Sequence, residues 1–227
     1  VLSVAWLIPQ GVSAQSNPIF EADPFAKAPN IDVTWRRTLN EPPVWSYHSR
    51  ELGAVNLWHT PAGRPALLVG TSSGELFRLN ATTVETNWVT QLEGSIDGQP
   101  VVDDGVIFIG TNLGQFYALD TGDGSVEWSY EVDSPINTTA AVGDNTVYIA
   151  DSGDVLRALN RKNGSVRWRY ERQKPTSFTI LGGGVPLVTD DLVLCGFADG
   201  RLVALNSESG NAEWMVDLSG DAREFFD

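Results

Sequence analysis

Short apolar runs separated by turn residues follow one another along most of the 227-residue chain. VIFIG at 106–110 is continuously apolar, which is the pattern of a strand buried on both faces. QFYALD at 115–120 follows after a short turn, and SVEWSYEV at 125–132 alternates with the two-residue period of a half-exposed strand. No stretch shows a convincing helical period. The pattern therefore predicts an all-β fold built from short antiparallel strands.

The strand pattern recurs at fixed offsets from one leucine in each unit. These leucines are 40, 40 and 46 residues apart: Leu79, Leu119, Leu159 and Leu205. A tryptophan stands nine residues after each of them: Trp88, Trp128, Trp168 and Trp214. A small residue stands nine residues before each of them: Gly70, Gly110, Ala150 and Gly196. A repeat of about 40 residues is typical of four-stranded β-propeller blades, whereas the coils of a parallel β-helix repeat at shorter intervals.

The repeats define the expected domain organisation. We expect a β-propeller of four-stranded antiparallel blades over residues 31–227, with blades at about 52–93, 94–133, 134–173 and 174–219. Trp35 lies in TWRRTLN, which resembles the outer strand of each unit although no strands precede it. We expect residues 31–40 to be a closing strand, because joining both termini in one blade hides its edges. We therefore expect the chain to be a fragment of a seven- or eight-bladed propeller.

The charge and the cysteine content exclude several classes of function. The formal net charge is −14, and the 15 basic residues form no cluster, so nucleic acid and anionic membrane surfaces are not expected partners. The single cysteine, Cys195, excludes an intrachain disulfide, and its apolar neighbours indicate a buried thiol. Two histidines are too few for the common zinc patterns. The sequence predicts no metal ion and no cofactor.

The first residues read as a targeting segment. VLSVAWLIP is a short apolar run, and the small residues Val12 and Ala14 suit cleavage by signal peptidase after Ala14. Nine apolar residues are too few to span a bilayer. We therefore expect residues 1–14 to be part of a signal peptide, residues 15–30 to be a flexible segment, and the protein to be exported to the periplasm. The residue directly after the expected cleavage site is Gln15 rather than a cysteine, so no lipid anchor is predicted.

Two features could suggest ligand chemistry. The glycine-rich stretch from Gly110 to Trp128 could cradle a phosphate, and the aspartate pairs at 103–104 and 190–191 could bind calcium. However, equivalent residues recur around Leu79, Leu159 and Leu205 without shared ligand chemistry, and both aspartate pairs occupy the same hairpin position, where aspartate favours turns. Repeated placement therefore favours a scaffold role for both, and no catalytic residue is predicted.

The repeat unit resembles that of the pyrroloquinoline-quinone-type propellers. DGQPVVDDGVIFIGTNLGQFYALDTGDGSVEW at 97–128 carries this resemblance most clearly. The group contains quinoprotein dehydrogenases and non-catalytic propellers, and the chain is most similar to the BamB family of outer-membrane protein assembly factors. Quinone binding in the related alcohol dehydrogenases uses a pair of adjacent cysteines, and the single Cys195 cannot supply it.

The resemblance implies a partner-binding loop where the repeat period lengthens. Between Trp168 and Pro186 the chain is six residues longer than in the preceding units. The family contacts its barrel-assembly subunit here with two apolar residues followed by an arginine, and later with an acidic pair. These positions correspond to Phe178, Ile180, Leu181 and Asp227, so that a leucine replaces the family's arginine.

The resemblance therefore implies a non-enzymatic periplasmic scaffold that assists the assembly of outer-membrane β-barrel proteins. Its expected partners are the barrel-assembly subunit or other envelope proteins, and it would be at most peripheral to the outer membrane. Two alternatives stay open from the sequence. One is a quinone-dependent dehydrogenase or ligand-binding propeller with its site in further blades, and the other is an envelope interaction propeller with an unrelated partner.

Overall fold

The computed structural model describes residues 55–172 and 184–218, and within these ranges all regular structure is β. Sixteen strands form four antiparallel sheets of four strands each, and each sheet uses four consecutive strands in chain order. We call these sheets the first to fourth blades. The prediction of an all-β propeller with four-stranded antiparallel blades is confirmed. In the described ranges there is no helix long and apolar enough to cross a membrane.

The strand bounds repeat from blade to blade. The first blade contains β1 (Val55–His59), β2 (Pro65–Gly70), β3 (Glu75–Asn80) and β4 (Thr86–Gln91). The second contains β5 (Val101–Asp103), β6 (Val106–Gly110), β7 (Gln115–Asp120) and β8 (Val126–Glu131). The third contains β9 (Ala141–Val142), β10 (Thr146–Ala150), β11 (Val155–Asn160) and β12 (Val166–Glu171). The fourth contains β13 (Leu187–Val188), β14 (Leu192–Gly196), β15 (Arg201–Asn206) and β16 (Ala212–Asp217).

Burial follows the position of each strand in its blade. The second strand of the second blade is continuously apolar and buried from Ile107 to Gly110, whereas its outer strand β8 is mostly exposed. The pairing of the third and fourth strands shifts register at the repeated leucine in every blade: Leu79, Leu119, Leu159 and Leu205. Such a bulge increases the local twist of the outer strand. The repeated leucine thus marks a repeated backbone feature.

The hydrophobic core lies between the blades, in one cluster for each pair of neighbours. Leu68 and Leu76 of the first blade pack with Ile107 and Ile109 of the second. The second and third blades share a cluster that includes Phe108, Phe116, Trp128, Val147 and Ile149. The third and fourth blades share one that includes Tyr148, Trp168, Val193, Cys195 and Phe197. Within the described residues, neighbouring blades therefore bury their facing sides against each other, as blades of a propeller do.

Candidate partner-binding site

The residues predicted to bind a partner lie outside the described part of the chain. This holds for Phe178, Ile180 and Leu181 and for Asp227, as well as for Trp35 and the expected closing strand at 31–40. The structure does describe both ends of the lengthened connection, up to Arg172 and from Gly184 onward. It also describes the periodic residues that hold the neighbouring blades together.

Three periodic tryptophans join each blade to the next. The indole nitrogen of Trp88 donates to the carbonyl oxygen of Thr121 at 3.1 Å. Trp128 donates in the same way to Arg161 at 3.0 Å, and Trp168 donates to Ser207 at 3.0 Å. In each case the acceptor directly follows the aspartate or asparagine that ends the third strand of the next blade. These tryptophans are therefore used for packing between blades.

The same tryptophans explain three of the repeated glycines. A Cβ atom added to Gly124, Gly164 or Gly210 would lie 2.5–2.6 Å from the nearest atom it meets, and the indole ring of the preceding blade lies within 2.7 Å of it in each case. Real Cβ atoms do not approach other atoms so closely, so these positions admit only glycine without movement of the ring. The stretch from Gly110 to Trp128 is thus a repeated scaffold element, as its periodicity predicts.

The small residues before each leucine serve a related purpose in two blades. A Cβ atom on Gly70 would lie 2.2 Å from Ile96 Cγ2, and one on Gly110 would lie 2.3 Å from Ile136 Cγ2. Gly196 has open space at this position, with nothing within 4 Å. The repeat pattern alone therefore does not show which of these positions require glycine.

Trp214 of the fourth blade differs from its equivalents in exposure. Its side chain is 41% exposed, whereas Trp128 and Trp168 are each 9% exposed. The neighbouring residues Met215 and Val216 are also exposed. Within the described residues, this face of the fourth blade has no following blade packed against it.

An ion pair lies at the start of the lengthened connection. Arg172 donates to Asp199 Oδ2 of the fourth blade from Nη2 at 2.6 Å and from Nε at 2.7 Å, and both side chains are 15% exposed. The first and second blades carry the buried apolar residues Leu92 and Val132 at the position of Arg172. The joint between the third and fourth blades is therefore held by charge where the preceding joints use apolar packing.

The third blade also contains two buried aspartates, one of which reaches the fourth blade. Asp151 is 1% exposed, accepts from two backbone amides of its own turn and pairs with Arg157. Asp154 has a φ of 61°, a left-handed conformation that the other three blades give to glycine: Gly74, Gly114 and Gly200. Its Oδ1 accepts from the backbone amide of Ala198 at 3.2 Å, which links the third blade to the fourth.

The far end of the connection meets the fourth blade through a close backbone approach. The amide of Gly184 donates to the carbonyl oxygen of Gly196 at 3.1 Å, and a Cβ on Gly184 would lie 2.9 Å from that oxygen. Cys195 lies beside this contact and is 1% exposed. Burial, and then the charge of Asp154, raise the pKa of its thiol from the ordinary 9.0 to about 12. The thiol is therefore a packing residue at neutral pH, as the sequence predicts.

Sequence reasoning did not find the charged joint. The sequence does indicate this joint. Arg172 stands at a repeat position that is apolar in the first two blades, as Leu92 and Val132. Asp154 stands at a position that is glycine in the other three blades. The aspartate pair at 103–104 also does more than form a turn, since Asp103 Oδ2 accepts from Arg161 Nη1 of the third blade at 2.6 Å. Across the described residues, no group of three or more histidine, cysteine, aspartate or glutamate side chains could hold a metal ion.

The periodic joints and the four blades define a propeller of the PQQ-like repeat class. A family model described as outer membrane protein assembly factor BamB matches residues 72–224, which is more than half of the chain. The chain therefore belongs to the BamB family. No curated protein sequence matches it significantly.

Solved structures support the same fold. BamB from Moraxella catarrhalis is 26% identical with a TM-score of 0.62, and the match covers 70% of this chain and 47% of that one. The computationally designed Ika8 protein is 15% identical with a TM-score of 0.58, covering 71% of this chain and 48% of that one. A quinohemoprotein alcohol dehydrogenase from Pseudomonas putida HK5 is 16% identical with a TM-score of 0.54, covering 67% and 33%. The last two show the fold alone, and this chain spans about half the length of the BamB structure.

Proposed function

We propose that this protein is a non-enzymatic periplasmic scaffold that assists the assembly of outer-membrane β-barrel proteins. Membership of the BamB family is the observation that carries the proposal. The scaffold acts through protein–protein contacts, with the barrel-assembly subunit as its main partner. Exposed blade edges offer a second means of contact, because an extended segment of a client protein can add to them as a further strand.

The partner-binding residues in this proposal are Phe178, Ile180 and Leu181, together with Asp227. The three apolar side chains each contribute about 1.5–3 kcal/mol when buried against a partner, before the cost of ordering the loop is subtracted. Asp227 adds an acidic contact. Because Leu181 replaces an arginine of the family, the partner surface opposite it is expected to be apolar rather than acidic.

The contacts at the two ends of the lengthened connection support this placement of the partner-binding site. The connection that carries the three apolar residues begins at the Arg172–Asp199 ion pair and returns at the Gly184–Gly196 backbone contact. Both contacts are made with the fourth blade, so both ends of the connection are held by a packed element. A held loop loses less conformational entropy on binding than a free one, which favours affinity.

Co-purification from envelope extracts tests this proposal. The full-length protein is expected to recover the barrel-assembly subunit, and Phe178→Asp combined with Ile180→Asp is expected to abolish the recovery. Leu113→Asp is a matched control, because Leu113 is 64% exposed in a turn of the second blade. The proposal is contradicted if the double variant recovers the subunit as well as the wild type does.

The same purified protein should be assayed for bound quinone, bound calcium and dye-linked alcohol oxidation. A scaffold is expected to show none of the three. Stoichiometric bound quinone together with oxidation activity would contradict the scaffold proposal and support a quinone-dependent dehydrogenase. Recovery of a different envelope protein, without the barrel-assembly subunit, would instead support an interaction propeller with another partner.

A further inference from the structure

Arg78 breaks the repeat at a position where the other three blades carry alanine. The residue directly opposite the periodic tryptophan on the third strand is Ala118, Ala158 or Ala204 in those blades. In the first blade Arg78 is paired with Trp88 at this position. A long cation has therefore replaced a methyl group at a packed joint, and a structural joint alone does not require this exchange.

The contacts of Arg78 use only part of its guanidinium group. Nη1 donates to the carbonyl oxygens of Thr121 at 3.0 Å and Gly122 at 3.2 Å, and the group lies 5.5 Å from the centre of the Trp58 ring. Nε is buried and has no hydrogen-bond partner in the described part of the chain. An unpaired buried donor is unfavourable. Because Nε is buried and Nη1 is already bonded to the two carbonyl oxygens, Nη2 is the nitrogen through which the group can donate to a ligand.

A second departure from the repeat creates a cavity beside this group. Five residues connect β1 to β2 in the first blade, whereas two or three connect the equivalent strands of the other blades. This longer turn and the strands behind it line a partly open cavity of about 340 Å³. Among the described residues, the cavity is lined by two arginines, Arg64 and Arg78, and by the uncharged polar residues Thr60, Asn80 and Asn87. The rest of that lining is proline and alanine.

The charges around the cavity are unusual for this chain. The formal net charge is −14, yet no aspartate or glutamate is among the described residues that line the cavity. Among all the described residues of the chain, no carboxylate lies at ion-pair distance from Arg64 or Arg78. Two arginines without partner carboxylates among the described residues, next to an apolar wall, are complementary to an anion that also carries an apolar group.

We propose that the cavity between the β1–β2 turn and Arg78 binds a small apolar carboxylate. The carboxylate accepts a hydrogen bond from Nη2 of Arg78 and lies within the field of Arg64. The apolar part packs against the proline and alanine side chains of the wall. This site is independent of the proposed scaffold function, because it lies on the first blade and uses none of the partner-binding residues.

The test is a titration of the full chain followed by nuclear magnetic resonance, with benzoate as the probe. Benzamide is the matched neutral ligand, and inorganic phosphate is the matched anion without an apolar group. The indole N–H signal of Trp58 reports on the cavity, because Arg78 stacks on that ring. Benzoate is expected to shift this signal saturably, and benzamide and phosphate are each expected to bind at least about tenfold more weakly.

Three variants identify the residues that bind. Arg78→Ala installs the residue of the other blades and is expected to weaken benzoate binding at least about tenfold. Arg64→Gln changes an arginine on the surface turn and is expected to weaken binding with the fold unchanged. Arg169→Gln is the control, because Arg169 lies on the outer strand of the third blade and is 61% exposed. Its affinity for benzoate is expected to equal that of the wild type.

The proposal is overturned if millimolar benzoate gives no saturable shift of the Trp58 signal. It is also overturned if benzamide or phosphate binds as tightly as benzoate, or if Arg64→Gln and Arg78→Ala both bind like the wild type. If Arg78→Ala fails to fold, the Arg64→Gln result alone decides, because that substitution lies outside the packed joint.

Discussion

The indole nitrogen of Trp128 donates a hydrogen bond to the carbonyl oxygen of Arg161, 3.0 Å away in the following blade. The ring also covers Gly164 of that blade, where a Cβ atom would lie 2.5 Å from it. One side chain therefore joins two blades by a directed bond and by close packing. The same joint occurs at Trp88 and at Trp168, which explains why tryptophan and glycine recur together along the chain.

Replacing Trp128 by phenylalanine removes this hydrogen bond while keeping an aromatic ring. We expect the variant to lose about 1–2 kcal/mol in the free energy of unfolding, because the carbonyl of Arg161 loses its donor and part of the ring contact is lost. Trp214→Phe is the control, since Trp214 is 41% exposed. It is expected to cost less than about 0.5 kcal/mol. Urea unfolding of both variants measures the difference, and equal losses would contradict the joint described for Trp128.

Gly164→Ala tests the packing half of the joint. The new Cβ would meet the Trp128 ring, and the backbone has a φ of +70° that alanine rarely adopts. Gly63→Ala is the matched control, because Gly63 has a φ of +72° and nothing within 4 Å of the added atom. We expect Gly164→Ala to be less stable than Gly63→Ala by at least about 1 kcal/mol. Thermal unfolding gives this difference, and a smaller one would show that conformational strain alone explains the glycine.

The ion pair between Arg172 and Asp199 is expected to contribute to stability because both side chains are largely buried. A double-mutant cycle with Arg172→Leu and Asp199→Ser should give a coupling energy of about 1–2 kcal/mol. The pair Arg169–Glu171 is the control, since its side chains are 61% and 55% exposed. Its coupling is expected to stay below about 1 kcal/mol. A coupling near zero for Arg172 and Asp199 would show that the joint does not depend on their charges.

The buried Cys195 thiol predicts a specific dependence of stability on pH. Its pKa is raised from 9.0 to about 12 by burial, so the folded state keeps the proton while the unfolded chain loses it above about pH 9. The contribution of the thiol to stability is therefore complete below pH 9 and decreases as pH rises toward 12. Relative to Cys195→Ala, the wild type should lose about 1.4 kcal/mol per pH unit above pH 9.

Urea unfolding of both proteins between pH 7.5 and about pH 10.5 checks this dependence, and comparison with the alanine variant removes the effect of other titrating groups. A difference between the two proteins that is constant with pH would contradict the raised pKa. Labelling gives a second test. Native protein at pH 8 should resist a thiol reagent that reacts readily with the unfolded chain, because Cys195 is 1% exposed.

Local patterns in the sequence were enough to place the strands of the second blade. The apolar run at 106–110 became β6 (Val106–Gly110), and the run at 115–120 became β7 (Gln115–Asp120). The alternating stretch at 125–132 became β8, which is one residue shorter at each end. These elements are decided by alternation, turn residues and apolar runs over a few positions, and such information is contained in the local sequence.

The charged joint and the cavity depend instead on residues that are distant in the chain. Arg172 and Asp199 are 27 positions apart and belong to different blades, so their pairing follows from how the blades pack. Arg78 meets Thr121 of the next blade in the same way. Arg78 and Arg172 differ from the residues at the equivalent positions of the other repeats, and this difference is visible in the sequence. The groups that they contact follow only from the packing of the blades.

The most direct test of the scaffold proposal is the affinity of the full-length protein for the purified periplasmic part of the barrel-assembly subunit. The wild type and the Leu113→Asp control are expected to bind with equal affinity in calorimetry. Phe178→Asp combined with Ile180→Asp is expected to weaken binding at least about a hundredfold, since two buried apolar contacts are lost. Equal affinity of the double variant and the wild type, or no binding by the wild type, would contradict the proposed function.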